Sequence, residues 1–232
     1  LNVSREILQE HHLVDTIKKA VTKRMLESLK ALKKESFDKY RDFWNEYGLV
    51  LKEGPAEDRE NKDTIASLLL FATTYANSKD CDQTLDDYLE RMGNDQDKIY
   101  YCVADTFEAA ANSPHIEGLK SKGIEVLLLT DRIDEWVMAG LMEYQGKELI
   151  NVAKEDIVDE EETKKVSEGD QEIISKIQKY LGDKVSDVII SKRLTDSASC
   201  IVLPKHEPGA QLRKILEASG QTLGSSNPIF EI

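Results

Sequence analysis

Cysteine, histidine, positive charge and long apolar runs are all scarce in this sequence, and each scarcity removes a class of explanation. Cys81, Cys102 and Cys200 are odd in number and widely spaced, which argues against a disulfide framework and a zinc-type CxxC pair and leaves reduced, structural thiols. The four histidines, His11, His12, His115 and His206, show no metal-ligand spacing with one another or with the cysteines. No glycine-rich phosphate loop of either common type occurs, so a self-contained nucleotide enzyme is not expected. No apolar run approaches the roughly 20 residues that span a bilayer, and the first residues lack the charged-then-apolar layout of a signal peptide. With 31 basic against 44 acidic residues the net charge is -13, which disfavours a phosphate backbone as partner. These absences point to a cytoplasmic protein that binds neither nucleic acid nor membrane.

What is present is enough chain, 232 residues, to bury a substantial core in one large or two small domains. The sequence starts at Leu1 without a methionine and stops at Ile232 in a strand-like run, the pattern expected of a fragment. Leu13, Ile17, Ala20, Val21, Met25, Leu29 and Leu32 recur at helical spacing with lysines between them, predicting a long amphipathic helix with a basic face. Phe37, Tyr40, Phe43 and Trp44 predict a second helix closed by Tyr47 and Gly48, with a loop at Gly54 and Pro55. Further helices are expected over 61–75 and 85–92, so that 5–93 reads as a helical segment.

From residue 98 the pattern changes. A five-residue apolar run at 99–103, helices over 106–111 and 115–122, and a second apolar run at 124–129 have the spacing of a parallel crossover. A third strand at 148–152 follows the turn at Gln145 and Gly146, giving a small α-β-α sandwich over 98–155. Acidic residues then crowd 156–168, a solvated linker that sets the boundary between a first domain, 1–155, and a second, 169–232. The second domain reads as a helix ended by Gly182, strands at 185–190 and 198–203, and a last helix over 210–218 with Leu212, Ile215 and Leu216 on one side. The fold class is α/β: a helical segment, an α-β-α sandwich, then a partial α+β domain.

One stretch, 124–136, joins a buried strand to a helix start without a spare residue. Val126 through Leu129 suit a central strand, Thr130 and Asp131 can accept hydrogen bonds from a helix start, and Asp134 and Glu135 meet the positive end of the helix. Asp131 therefore has two readings. It caps the helix, or it serves as a phosphoacceptor or magnesium ligand at the carboxyl end of a central strand. Trp136 is either an exposed contact surface or core in a structural spacer, and Arg5 either a surface ion pair or a planar fork offered to a phosphate.

Several stretches resemble the heat-shock protein 90 chaperones, in their bacterial form: Leu1-Asn2-Val3-Ser4-Arg5-Glu6-Ile7-Leu8-Gln9, Lys98-Ile99-Tyr100-Tyr101, Ser113-Pro114-His115, the run from Gly123 to Trp136, and Arg193-Leu194-Thr195-Asp196. The resemblance runs in one order over almost the whole chain. It implies the later part of a middle domain joined to the start of a C-terminal domain of an ATP-dependent homodimeric folding chaperone. ATP and Mg2+ would then sit in an N-terminal domain this chain does not contain, with no cofactor held here and no hydrolysis by the chain alone. By the same resemblance Arg5 matches an arginine that reaches the ATP γ-phosphate, and Gln9 a glutamine of the same catalytic loop. Glu135 and Trp136 match a pair that contacts client proteins. Leu212, Ile215 and Leu216 match an amphipathic helix that also touches clients. Partners implied are unfolded or partly folded clients, cochaperones and a second copy, although the chain is expected to end before the family's dimerising helices. Two departures stand out: Leu70 where an arginine is common, and Pro208 with Gly209 where relatives have more helical residues.

Overall fold

The computed structural model describes residues 12–154, 168–204, 207–218, 220 and 227–232. The first eleven residues and the acidic linker, up to residue 167, lie outside the described residues. The basic amphipathic pattern forms α1 (His12–Glu35), which packs antiparallel to α2 (Phe37–Glu57) through Leu26 and Leu29 on one side and Tyr40 and Trp44 on the other. Helix α2 does not close at Gly48 as expected. The Trp44 ring lies over that glycine, where a Cβ would approach within 2.8 Å, and the helix runs on through Gly54 and Pro55, whose ring falls in its last turn.

The helix expected over 61–75 is only α3 (Lys62–Ala66). Leu68, Leu69, Leu70 and Phe71 are buried on every side, so the segment crosses the core as irregular chain and enters β1 (Ala72–Thr73) instead of presenting one apolar stripe. Leu70, expected as a departure from the family pattern, is fully buried among apolar side chains. Helix α4 (Leu85–Arg91) opens with a capping box: the Thr84 hydroxyl accepts from the Asp87 N–H and the Asp87 carboxylate accepts from the Thr84 N–H.

The crossover is present. β2 (Lys98–Val103) leads through α5 (Phe107–Ala111), a 3-10 turn (Pro114–Ile116) and α6 (Glu117–Ser121) to β3 (Val126–Leu129), and β2 pairs with β3 in parallel. After α7 (Asp134–Leu141), β4 (Glu143–Tyr144) and β5 (Lys147–Asn151) complete a five-stranded sheet in the order β1-β3-β2-β5-β4. Because side chains alternate along a strand, both faces can be buried by different residues. Ile99, Tyr101, Leu127, Leu129 and Leu149 face α1, α2, α4 and α7, whereas Tyr100, Cys102, Val126 and Leu128 face α5, the 3-10 turn and α6.

Beyond the linker, α8 (Glu168–Leu181) ends at Gly182, whose φ of +53° suits a helix stop. β6 (Asp187–Ile189), β7 (Cys200–Val202), α9 (Ala210–Ala218) and β8 (Ile229–Glu231) follow, with the strands ordered β6-β8-β7 around a small core of Cys200, Val202 and Ile229. A polar joint ties this unit to the sandwich. Buried Arg193 pairs with Glu231 at 3.0 Å and donates to the carbonyls of Val152 (2.6 Å) and Lys154 (3.2 Å). Glu117 accepts from the backbone N–H groups of Thr195, Asp196 and Ser197 and from the Ser197 hydroxyl. Desolvation alone would raise its pKa, but these hydrogen bonds outweigh it and hold the carboxylate down to about 2.

Candidate functional site

The site is built where β3 hands over to α7. Lys52 of α2 reaches across with its ammonium 2.6 Å from Asp131 Oδ2 and 2.7 Å from Asp134 Oδ1. Lys52 and Asp134 are 3% and 0% exposed, whereas the Asp131 side chain keeps 40% of its surface in water. Desolvation pulls the lysine pKa down, but the two carboxylates outweigh it and raise it, so the ammonium stays charged. The expected cap at Asp131 is therefore corrected. Its carboxylate is taken by Lys52, and the local turn is closed the other way, by Asp134 Oδ2 accepting from the Asp131 N–H at 2.8 Å. Among the described residues no three histidine, cysteine or carboxylate side chains converge on a possible metal site.

Lys52 was missed by the sequence reading. Its one signal is position: it follows Trp44 and Gly48 along the buried side of α2. A lysine on that stripe needs anions across from it, and Asp131 and Asp134 provide them.

The next two residues of α7 also differ from expectation. Trp136 is not exposed: it is half-buried, packed against the edge of the main core beside Val137, Met138 and Leu141. Glu135 is only 6% exposed. One carboxylate oxygen accepts from the Gly209 N–H, and the other accepts from the Leu212 N–H at 2.7 Å. These are orphan donors at the start of α9, so a carboxylate 74 residues away caps that helix. A Cβ at 209 would overlap the Glu135 carboxylate, so the close approach requires glycine. Arg213 pairs with Glu207 at 2.6 Å and steadies the same turn.

The structure thus brings together two sets of residues that the sequence treats separately. Glu135 and Trp136 sit on α7, and Leu212 and Leu216, both half-buried, sit on α9 docked against it. The Ile215 side chain, Arg5 and Gln9 lie outside the described residues.

A protein-family model described as "Hsp90 protein" matches residues 1–229. The Chaperone protein HtpG of Pseudoalteromonas translucida (strain TAC 125) is 45% identical over 240 residues, and that of Shewanella loihica (strain ATCC BAA-1088 / PV-4) is 46% identical over 240 residues. That of Aromatoleum aromaticum (strain DSM 19018 / LMG 30748 / EbN1) is 49% identical over 244 residues. Each comparison covers 100% of this chain and 38% of the relative, so the chain spans well under half the length of the curated relatives it matches.

Proposed function

This chain belongs to the heat-shock protein 90 family, and from that premise we propose that it is a chaperone segment whose α7 and α9 form one surface for partly folded client proteins. The observation that carries the reading is the Glu135 carboxylate, which ties the start of α9, the helix of Leu212 and Leu216, to α7, the helix of Trp136. A half-buried tryptophan on α7 and two half-buried leucines on the helix docked against it suit weak, sequence-tolerant capture of apolar segments. Replacing Trp136 and Leu216 with serine should lower suppression of a test client's aggregation several-fold while circular dichroism stays unchanged. Undiminished suppression by the folded variant would dismiss the surface.

Coupling to ATP belongs to the same proposal. The nucleotide and Mg2+ would be held by a domain outside this chain. Arg5 and Gln9 are the residues proposed to meet the γ-phosphate once the domains close, since a guanidinium delivered by docking can stabilise developing charge there. In a longer chain carrying the nucleotide domain, Arg5→Ala should lower ATP turnover by about tenfold or more. An unchanged rate would contradict the coupling.

A further inference from the structure

Helix α9 is more than half of a binding surface; its first turn is itself the kind of object the surface would bind. A partly folded chain offers two things that a native chain hides: backbone N–H groups without partners, and apolar side chains close by. The start of α9 offers both. The Gly209 and Leu212 N–H groups have no partner within the helix, and the Leu212 and Leu216 side chains follow. Both orphan donors are met by the two oxygens of one buried carboxylate, on the residue that precedes Trp136 in α7.

Resting on the client-binding reading above, we propose that Glu135 and Trp136 are a receptor for pairs of unpaired backbone N–H groups flanked by apolar side chains. In this structure α9 occupies the receptor as an internal stand-in for a client, and clients compete with it. Glu135 is then a positioning residue in the closed state, through its hold on α9, and a direct contact once α9 leaves. Glycine at 209 sets the fit. Its φ is not in the left-handed region, so alanine is conformationally tolerated there, but the added methyl group overlaps the carboxylate. The clash is with the free end of the Glu135 side chain, so the capping contact breaks before any backbone has to move.

Two substitutions separate this proposal from an ordinary helix cap, because they open α9 in different ways. Gly209→Ala displaces the carboxylate yet leaves it charged and available. Glu135→Gln removes the charge on which the receptor depends. In the whole chain, both variants should speed hydrogen exchange across 212–218 about tenfold or more, with exchange in β2 unchanged as the control for folding. Affinity for a chemically unfolded test client should rise several-fold in Gly209→Ala and should not rise in Glu135→Gln. Unchanged exchange in both variants overturns the capping contact. Faster exchange with client affinity moving the same way in both overturns the receptor and leaves only a cap. Neither result depends on Trp136→Ser, whose lack of effect on the client would instead remove the proposed surface itself.

Discussion

At the scale of single residues, His115 is a group whose surroundings change its chemistry within the ordinary working range of pH. Desolvation, aided by the Arg193 guanidinium, lowers its pKa from an ordinary 6.5 to about 4, and its Nδ1 is buried with no hydrogen-bond partner among the described residues. Between those values the unfolded chain takes up a proton that the folded chain refuses. Stability from this residue is complete above pH 6.5 and is lost progressively as the pH falls toward 4. The depressed pKa of Glu117, about 2 against an ordinary 4.5, acts in the same direction but only below 4.5. Urea midpoints compared at pH 7.5 and 5.5 should differ in the intact chain, and His115→Gln should shrink that difference. An equal pH dependence in the variant would show that another group is responsible. None of this was legible in the sequence. His115 reads there as a histidine without metal spacing, because its neighbour Arg193 lies 78 positions away and meets it only after folding.

At the scale of elements, the legible features were those decided by their own local pattern. The long 3.6-residue stripe of α1, the helix α4 and the apolar runs of β2 and β3 lie close to where the sequence places them. The errors share a cause. Gly48 reads locally as a helix end and 68–71 reads as helix interior, but the Trp44 ring and an all-round apolar environment decide those segments from outside them. Helix α7 was placed correctly, while its anchoring was not. Lys52 joins it to α2 by pairing with buried Asp134, and removing one partner of such a pair leaves an unpaired charge in the interior. Lys52→Met should therefore cost about 3–5 kcal/mol of stability, read as a lower urea midpoint. Asp131→Asn should cost less, because the Asp131 side chain is 40% exposed. A midpoint for Lys52→Met within error of the parent would remove the ion pair from the account.

At the scale of the whole molecule, two joints define how the second unit sits on the sandwich: Arg193 with Glu117 on one side, and Glu135 at the start of α9 on the other. The sequence carried the residues of both joints as separate motifs. It could not carry their meeting, since Glu117 and Thr195 are 78 positions apart and Glu135 and Leu212 are 77. The resemblance pointed at Glu135, Trp136, Leu212 and Leu216, and the structure joins their two helices through the Glu135 carboxylate. No helix among the described residues is long and apolar enough to cross a membrane. The proposed work of the molecule lies on the α7–α9 face, where half-buried apolar side chains and a carboxylate cap on backbone N–H groups coincide.

Position-resolved cross-linking tests that claim most directly. A photoreactive residue introduced at 136, 212 or, as a control, at exposed Glu148 on β5 is illuminated in the presence of a chemically unfolded test client. The account predicts adducts at 136 and 212 that fade when the client is allowed to fold, with little at 148. Equal labelling at all three positions, or labelling at 148 alone, would contradict it.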